Sequence, residues 1–140
     1  MVRTIHGWLA HLFAALVALQ VFAAGLGAFT TIDNKKYSDN DFALHGIVAL
    51  LIGLVAIILL ILIGIDRRAD RIRKLTLILF GVTLLQFVLA AIGSSVAVVG
   101  GLHAANALAV AAVAYLLVKA TREQPGTAQG DAAPAGPSVI

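Results

Sequence analysis

The chain contains no cysteine, and that one absence removes disulfides, thiolate metal sites, iron–sulfur clusters and covalent c-type haem attachment together. Its only methionine is Met1, so no thioether ligand stands within the body of the chain. Charge is also scarce. Asp, Glu, Lys and Arg make up 12% of the 140 residues, against 61% hydrophobic residues, and the mean hydropathy is strongly positive, a balance that excludes an ordinary soluble domain. What charge there is avoids residues 7–29, 43–65 and 75–118 altogether. No nucleotide-binding or nucleic-acid motif occurs, and the net charge of +3 reports where cations flank apolar segments, not an acidic partner.

A helix needs about 20 apolar residues to cross a hydrocarbon core of about 30 Å. The first two charge-free windows therefore hold one helix each, and the third holds two, parted around Gly93-Ser94-Ser95 and Gly100-Gly101. The expectation is an all-α bundle of four transmembrane helices over 7–29, 43–65, 75–94 and 100–118, with lipid as its main partner. From Thr121 onward the chain is polar and rich in Pro, Ala and Gly, and residues 120–140 read as a disordered tail.

Arg3, Arg67, Arg68, Arg71, Arg73, Lys74, Lys119 and Arg122 account for eight of the ten cations and fall on one side of such a bundle. By the positive-inside rule that side is the cytoplasm. Both termini are then inside, Thr30–Asp41 and the uncharged Ser94–Gly101 link are outside, and the plasma or inner membrane is the expected location. A cleaved signal peptide ending near Ala28 is the competing reading of the first segment, but the run is long enough to span.

The two halves of the chain match. Gln20 to Gly27 and Gln86 to Gly93 both read Gln-x6-Gly, and each is followed by a helix with a histidine near its outer end, His45 and His103. Two helix pairs running the same way form parallel repeats about an axis along the membrane normal. Small and polar residues recur at helical spacing on the first and third helices, at Gln20, Ala24 and Gly27 and at Thr83, Gln86, Ala90 and Gly93. Such stripes let helices approach closely or leave room for a flat ligand.

Within the spans the titratable side chains are histidines and Tyr115, and intramembrane ionisable groups are functional candidates by default. Two imidazoles at one depth across a bundle core can take both axial positions of a haem iron. The expectation is haem b held by His45 and His103, with Gln20, Gly27, Gln86, Gly93 and Asn106 lining the pocket. The competing reading leaves both histidines near the headgroups, bonded to backbone or water, in a cofactor-free scaffold. His6 and His11 lie at the other end of the first helix, with His11 on the face opposite Gln20, and read as interfacial residues beside Trp8 or as contacts to another subunit. The acids of the outer loop lack calcium-loop spacing; Lys35 and Lys36 could meet haem propionates there, but an ordinary solvated loop is the preferred reading. A transporter is disfavoured, because the spans carry no carboxylate or basic side chain for ion coupling.

On these residues the chain resembles one four-helix half of heme A synthase, a membrane enzyme of cytochrome oxidase assembly, and the small uncharacterised four-helix bacterial membrane proteins similar to such a half. The likeness covers residues 1–118. It implies histidine ligands at His45 and His103, Gln-x6-Gly segments on the first and third helices, electron transfer or an oxidase-related accessory role, and a respiratory or quinone partner, with pairing of two chains as an option. The catalytic half of that family carries a Glu one turn before its first histidine and often an Arg after it. Here Asp41 and Gly46 stand nearest, so the resemblance implies a haem-holding bundle and not haem A synthesis.

Overall fold

The computed structural model describes residues 1–35, 38–65 and 70–123. Among them the regular elements are four long helices, α1 (Val2–Asn34), α2 (Ala43–Ile65), α3 (Asp70–Gly93) and α4 (Ala97–Arg122), with a short 3-10 turn at Asp39–Phe42. All four are long and apolar enough to cross a membrane. α1 and α3 each pack against α2 and α4, so the helices form a ring with α2 diagonal to α4. The end bearing Lys35, residues 38–42 and residues 94–96 is called outer below, and the opposite end inner.

The core follows helical spacing. Ala10, Phe13 and Val17 on α1 meet Val48, Ile52, Val55 and Leu59 on α2, Ile72 and Leu79 on α3, and Val110, Ala114 and Leu117 on α4. Large apolar side chains also cover the outside: Phe22, Phe29, Leu50 and Leu108 are all more than 60% exposed. A bundle apolar all round is at its lowest free energy with hydrocarbon as solvent, and we read the chain as membrane-spanning.

The helices outrun three of the four expected spans. Counting apolar residues gives the stretch a bilayer needs, whereas a helix continues as long as its backbone groups are satisfied. At the outer end of α1, Thr30 donates its hydroxyl to the Leu26 carbonyl at 2.8 Å, the Thr31 hydroxyl oxygen lies 3.0 Å from the Gly27 carbonyl, and the helix stops only at Lys35, which takes a left-handed conformation (φ 51°). α3 starts five residues before Leu75, with Asp70 in its first turn, where an acid complements the helix dipole. α4 extends through Lys119 and Arg122 in its last turn, the matching arrangement for cations. The expected tail therefore cannot begin at 120; its remainder, 124–140, lies outside the described residues, as do Lys36, Arg67 and Arg68.

The outer connections are tight. Gly100 and Gly101, expected in the third connection, belong to α4, and only Ser94–Val96 join it to α3. A Cβ on Gly93 would sit 2.8 Å from the Gly100 Cα, and one on Gly27 would sit 2.6 Å from the Asp41 carbonyl oxygen and 2.8 Å from the Phe42 ring. Asp41 accepts from the Thr31 hydroxyl at 2.9 Å and from the Ser38 backbone N–H at 3.0 Å. The carboxylate thereby staples the end of α1 to the turn that enters α2.

Candidate functional site

His45 is the third residue of α2 and His103 lies in the second turn of α4. The ring places these diagonal helices face to face. Their imidazole centroids are 6.2 Å apart with the ring planes at 70°, and Phe42 packs edge-on to His45 with centroids 6.3 Å apart.

Each histidine is held by the glutamine of the preceding helix. His45 Nδ1 lies 3.3 Å from the main-chain oxygen of Gln20, and Gln20 Nε2 lies 3.1 Å from His45 Nε2. A ring nitrogen facing a carbonyl must carry the proton, so Nδ1 donates, and Nε2 offers a lone pair that accepts from the amide. The second pair repeats this: His103 Nδ1 stands 3.1 Å from the Gln86 main-chain oxygen, and Gln86 Nε2 is 3.3 Å from His103 Nε2 and 3.0 Å from the His103 carbonyl. Each Nδ1 thus faces a main-chain carbonyl and fixes the ring orientation, and each Nε2 is left facing the glutamine amide, the nitrogen that can bind a metal.

The pairs differ at one position. Asn106, three residues after His103, donates to Gln86 Oε1 at 2.6 Å and to the Val82 carbonyl at 2.9 Å. The corresponding residue after His45 is Val48, which is buried and has nothing to donate. Gln20 Oε1 is accordingly buried without a hydrogen-bond partner, as is the Thr83 hydroxyl.

The histidines and glutamines surround a cavity of about 290 Å³ lined from all four helices, by Val17, Gln20, Val21, His45, Gly46, Ala49, Ile52, Thr83, Gln86, Phe87, Ala90, His103, Ala107 and Val110. It is an apolar chamber with few polar groups, the usual make-up of a small-molecule site. Val21 and Phe87 in its wall are 62% and 36% exposed, so it reaches the outer surface between helices. Apart from Gly46 and Ala90, the lining keeps the same offsets in both halves. Val17 and Thr83 precede their glutamine by three, Val21 and Phe87 follow it by one, Ala49 and Ala107 follow their histidine by four, and Ile52 and Val110 by seven. Among the described residues no three His, Cys, Asp or Glu side chains gather, so the donor set on offer is an imidazole pair.

Of the expected site residues, His45, His103, Gln20 and Gln86 come together at this cavity. Gly27, Gly93 and Asn106 are not in its lining. The two glycines serve the close outer connections, and Asn106 acts on Gln86 from behind. His6 is corrected as well: instead of lying at the interface it is fully buried, with Nε2 3.3 Å from the Thr76 hydroxyl across the bundle. It belongs to the stripe His6, Ala10, Phe13, Val17, whose spacing continues to Gln20. His11 does stand beside Trp8, but it is tied to α4, accepting from Arg122 Nε at 3.0 Å. The small cavity-facing residues one turn after each histidine, Ala49 and Ala107, went unremarked in the sequence. The repeated His-x3-Ala spacing was the signal for them.

No curated protein matches the chain, and neither does any solved structure. A model of a family of unknown function, DUF6220, matches residues 20–93, a segment that begins at Gln20, ends at Gly93 and includes His45 and Gln86 but not His103. That is just over half of the 140 residues, and the chain belongs to this family of unknown function, DUF6220.

Proposed function

We propose that this chain is a bis-histidine haem-b protein of the plasma or inner membrane, with His45 and His103 as axial ligands and a role in electron transfer or in support of a haem-containing oxidase. The observation that carries the reading is the imidazole pair. The ring centroids are 6.2 Å apart across the cavity, close enough that His45 and His103 together would hold one iron, which would supply one-electron chemistry there. Their Nδ1–H groups are anchored to main-chain carbonyls, which leaves both Nε2 atoms as the donor atoms. Both Nε2 atoms, which here accept from the glutamine amides, would be needed to hold the iron. The cavity is at the small end for a ligand pocket, and Val21 and Phe87 in its wall are exposed on the outside of the bundle. The unpartnered Gln20 Oε1 and Thr83 hydroxyl in its wall also favour an occupant, since such atoms cost stability when nothing bonds to them.

Bound haem supplies one-electron chemistry, and the chain's own residues orient it and keep water away. The equal offsets of the lining residues support a duplicated helix pair, which is also what the likeness to half of heme A synthase implies. The cation bias supports both termini lying in the cytoplasm, with the haem edge toward the outer face, near Lys35 and a quinone or respiratory partner.

The test is a reduced-minus-oxidised absorbance spectrum of protein purified in mild detergent from haem-replete cells, with a haemochrome assay of stoichiometry. A low-spin b-type signal near one haem per chain, lost in both His45→Ala and His103→Ala, is the expected result. A signal that survives in both variants overturns the ligand assignment.

One observation favours a second reading, a cofactor-free scaffold. The glutamine amides already satisfy both Nε2 atoms, so the imidazole pair is complete without a ligand. A folded, colourless protein that takes up no haemin is its signature.

A further inference from the structure

The outer chamber is walled unevenly. Four of its lining residues, Val21, Gly46, Phe87 and Ala90, are also exposed on the outside of the bundle, and three of these border the gap between α2 and α3. Phe87 identifies the gap, because its ring on α3 lies over Gly53 on α2, where an added Cβ would come within 3.1 Å of it. Gly46 precedes Gly53 by seven residues and Ala90 follows Phe87 by three, so they share those two helix faces one or two turns nearer the outer end. A Cβ added to Gly46 would meet nothing within 4 Å. On the other side of the bundle, Ala104 and Ala24 stand at the same offsets as Gly46 and Ala90, and neither lines the chamber.

The surroundings of this window are apolar. Ile47 and Leu50 on α2 and Val88 and Ile92 on α3 are exposed beside it, and no Asp, Glu, Lys or Arg is among the chamber's lining residues. Polar atoms begin inside. Thr83, one turn inward of Phe87, is only 4% exposed, and its hydroxyl and Gln20 Oε1 are buried in the chamber wall without a hydrogen-bond partner. Unmet groups of this kind are rare in folded proteins and point to an occupant.

We propose that the chamber takes its occupant sideways from the hydrocarbon phase, through a window between α2 and α3 framed by Gly46, Phe87 and Ala90, so that the ligand is a molecule dissolved in the bilayer and not in water. An apolar frame admits such a molecule without a desolvation penalty, whereas a charged solute would have to shed its water at the rim. Phe87 is the movable part of the frame. Its ring rests on a glycine, and a rotation about its side-chain bonds widens the window while the backbone stays in place. The inference goes beyond the haem reading, since a window serves whatever fills the chamber.

The experiment is carbene photolabelling of the full chain, purified from haem-starved cells and placed in phospholipid nanodiscs, with label located by mass spectrometry. One small diazirine partitions into the bilayer and a second, charged one stays in water. Three classes of residue calibrate the result: Leu50 and Leu108 face outward, Leu59 is fully buried away from the chamber, and Ile52 and Val110 are buried in the chamber wall. With the lipid-soluble diazirine, Ile52 and Val110 are expected to take up label well above Leu59. Gly46→Phe and Ala90→Phe should each return them to the Leu59 level, Phe87→Ala should raise them, and Ala104→Phe, the same change at the counterpart of Gly46, should leave them as in the parent. Chamber label at the Leu59 level in the parent, equal chamber label from the charged diazirine, or unaltered label in both window-filling variants overturns the proposal. Haemin added to the parent separates the two readings: loss of chamber label together with a low-spin spectrum supports the haem assignment, and chamber label that haemin leaves unaltered counts against that assignment while the window stands.

Discussion

At the scale of single residues, the two glutamines carry unequal loads. Gln86 bonds to the His103 ring, to the His103 carbonyl and to Asn106, whereas Gln20 bonds to His45 alone and leaves its oxygen without a partner. Hydrogen bonds between membrane helices average about 0.6 kcal/mol and reach about 1.7. Gln86→Leu should therefore destabilise the bundle by about 1 kcal/mol more than Gln20→Leu, measured by unfolding in mixed detergent micelles. Equal losses would show that the Asn106 bond contributes nothing. Val48→Asn tests the same asymmetry from the other side: by giving Gln20 Oε1 a donor, it should cost less than Val55→Asn, which places an amide in the same core without that acceptor. Sequence spacing was enough to find Gln20, His45, Gln86 and His103, because a repeated motif repeats its geometry. It did not find the burial of His6, since distance along the chain put that residue at an interface. Its helical phase, shared with Ala10 and Phe13, put it inside.

At the scale of helices and their connections, glycine marks where backbones touch. Gly27 and Gly93 face backbone atoms that would lie 2.6 and 2.8 Å from an added Cβ, whereas Gly25 has open space. Backbone cannot move aside as a flexible side chain can, so Gly27→Ala and Gly93→Ala should each cost about 1–3 kcal/mol. Gly25→Ala should be neutral or slightly stabilising through helix propensity. Thermal or denaturant unfolding of the three variants decides this, and a neutral Gly93→Ala would contradict the close α3–α4 approach. The number of helices was legible because uncharged windows have a minimum length for crossing a bilayer. Their ends were not, because Thr30, Thr31, Arg71 and Arg122 continue helices beyond the apolar stretch by means that hydropathy does not register. The Gly100-Gly101 pair looked like a break, but both residues are helical, and Gly100 packs against Gly93 while Gly101 faces open space.

At the scale of the whole molecule, the cation bias makes a directional prediction. With no native cysteine, single-cysteine variants report topology cleanly. Ser38→Cys and Ser95→Cys should react with a membrane-impermeant maleimide added outside intact cells, and Thr121→Cys should react only after the membrane is opened. The reverse pattern would place the imidazole pair on the cytoplasmic side and remove the argument for an outer-face redox partner.

The hydrogen bonds at both nitrogens of each imidazole bear on the order in which the protein is made. In a zinc finger the ligands have no partners until the metal arrives, and folding waits for it. Here each histidine has a proton acceptor and a proton donor from its own helix pair. The bundle can fold and persist with both imidazoles latched by their glutamines, and on the haem proposal loading would follow folding, so that supply of the ligand would set how much of the protein is active and not how much of it survives.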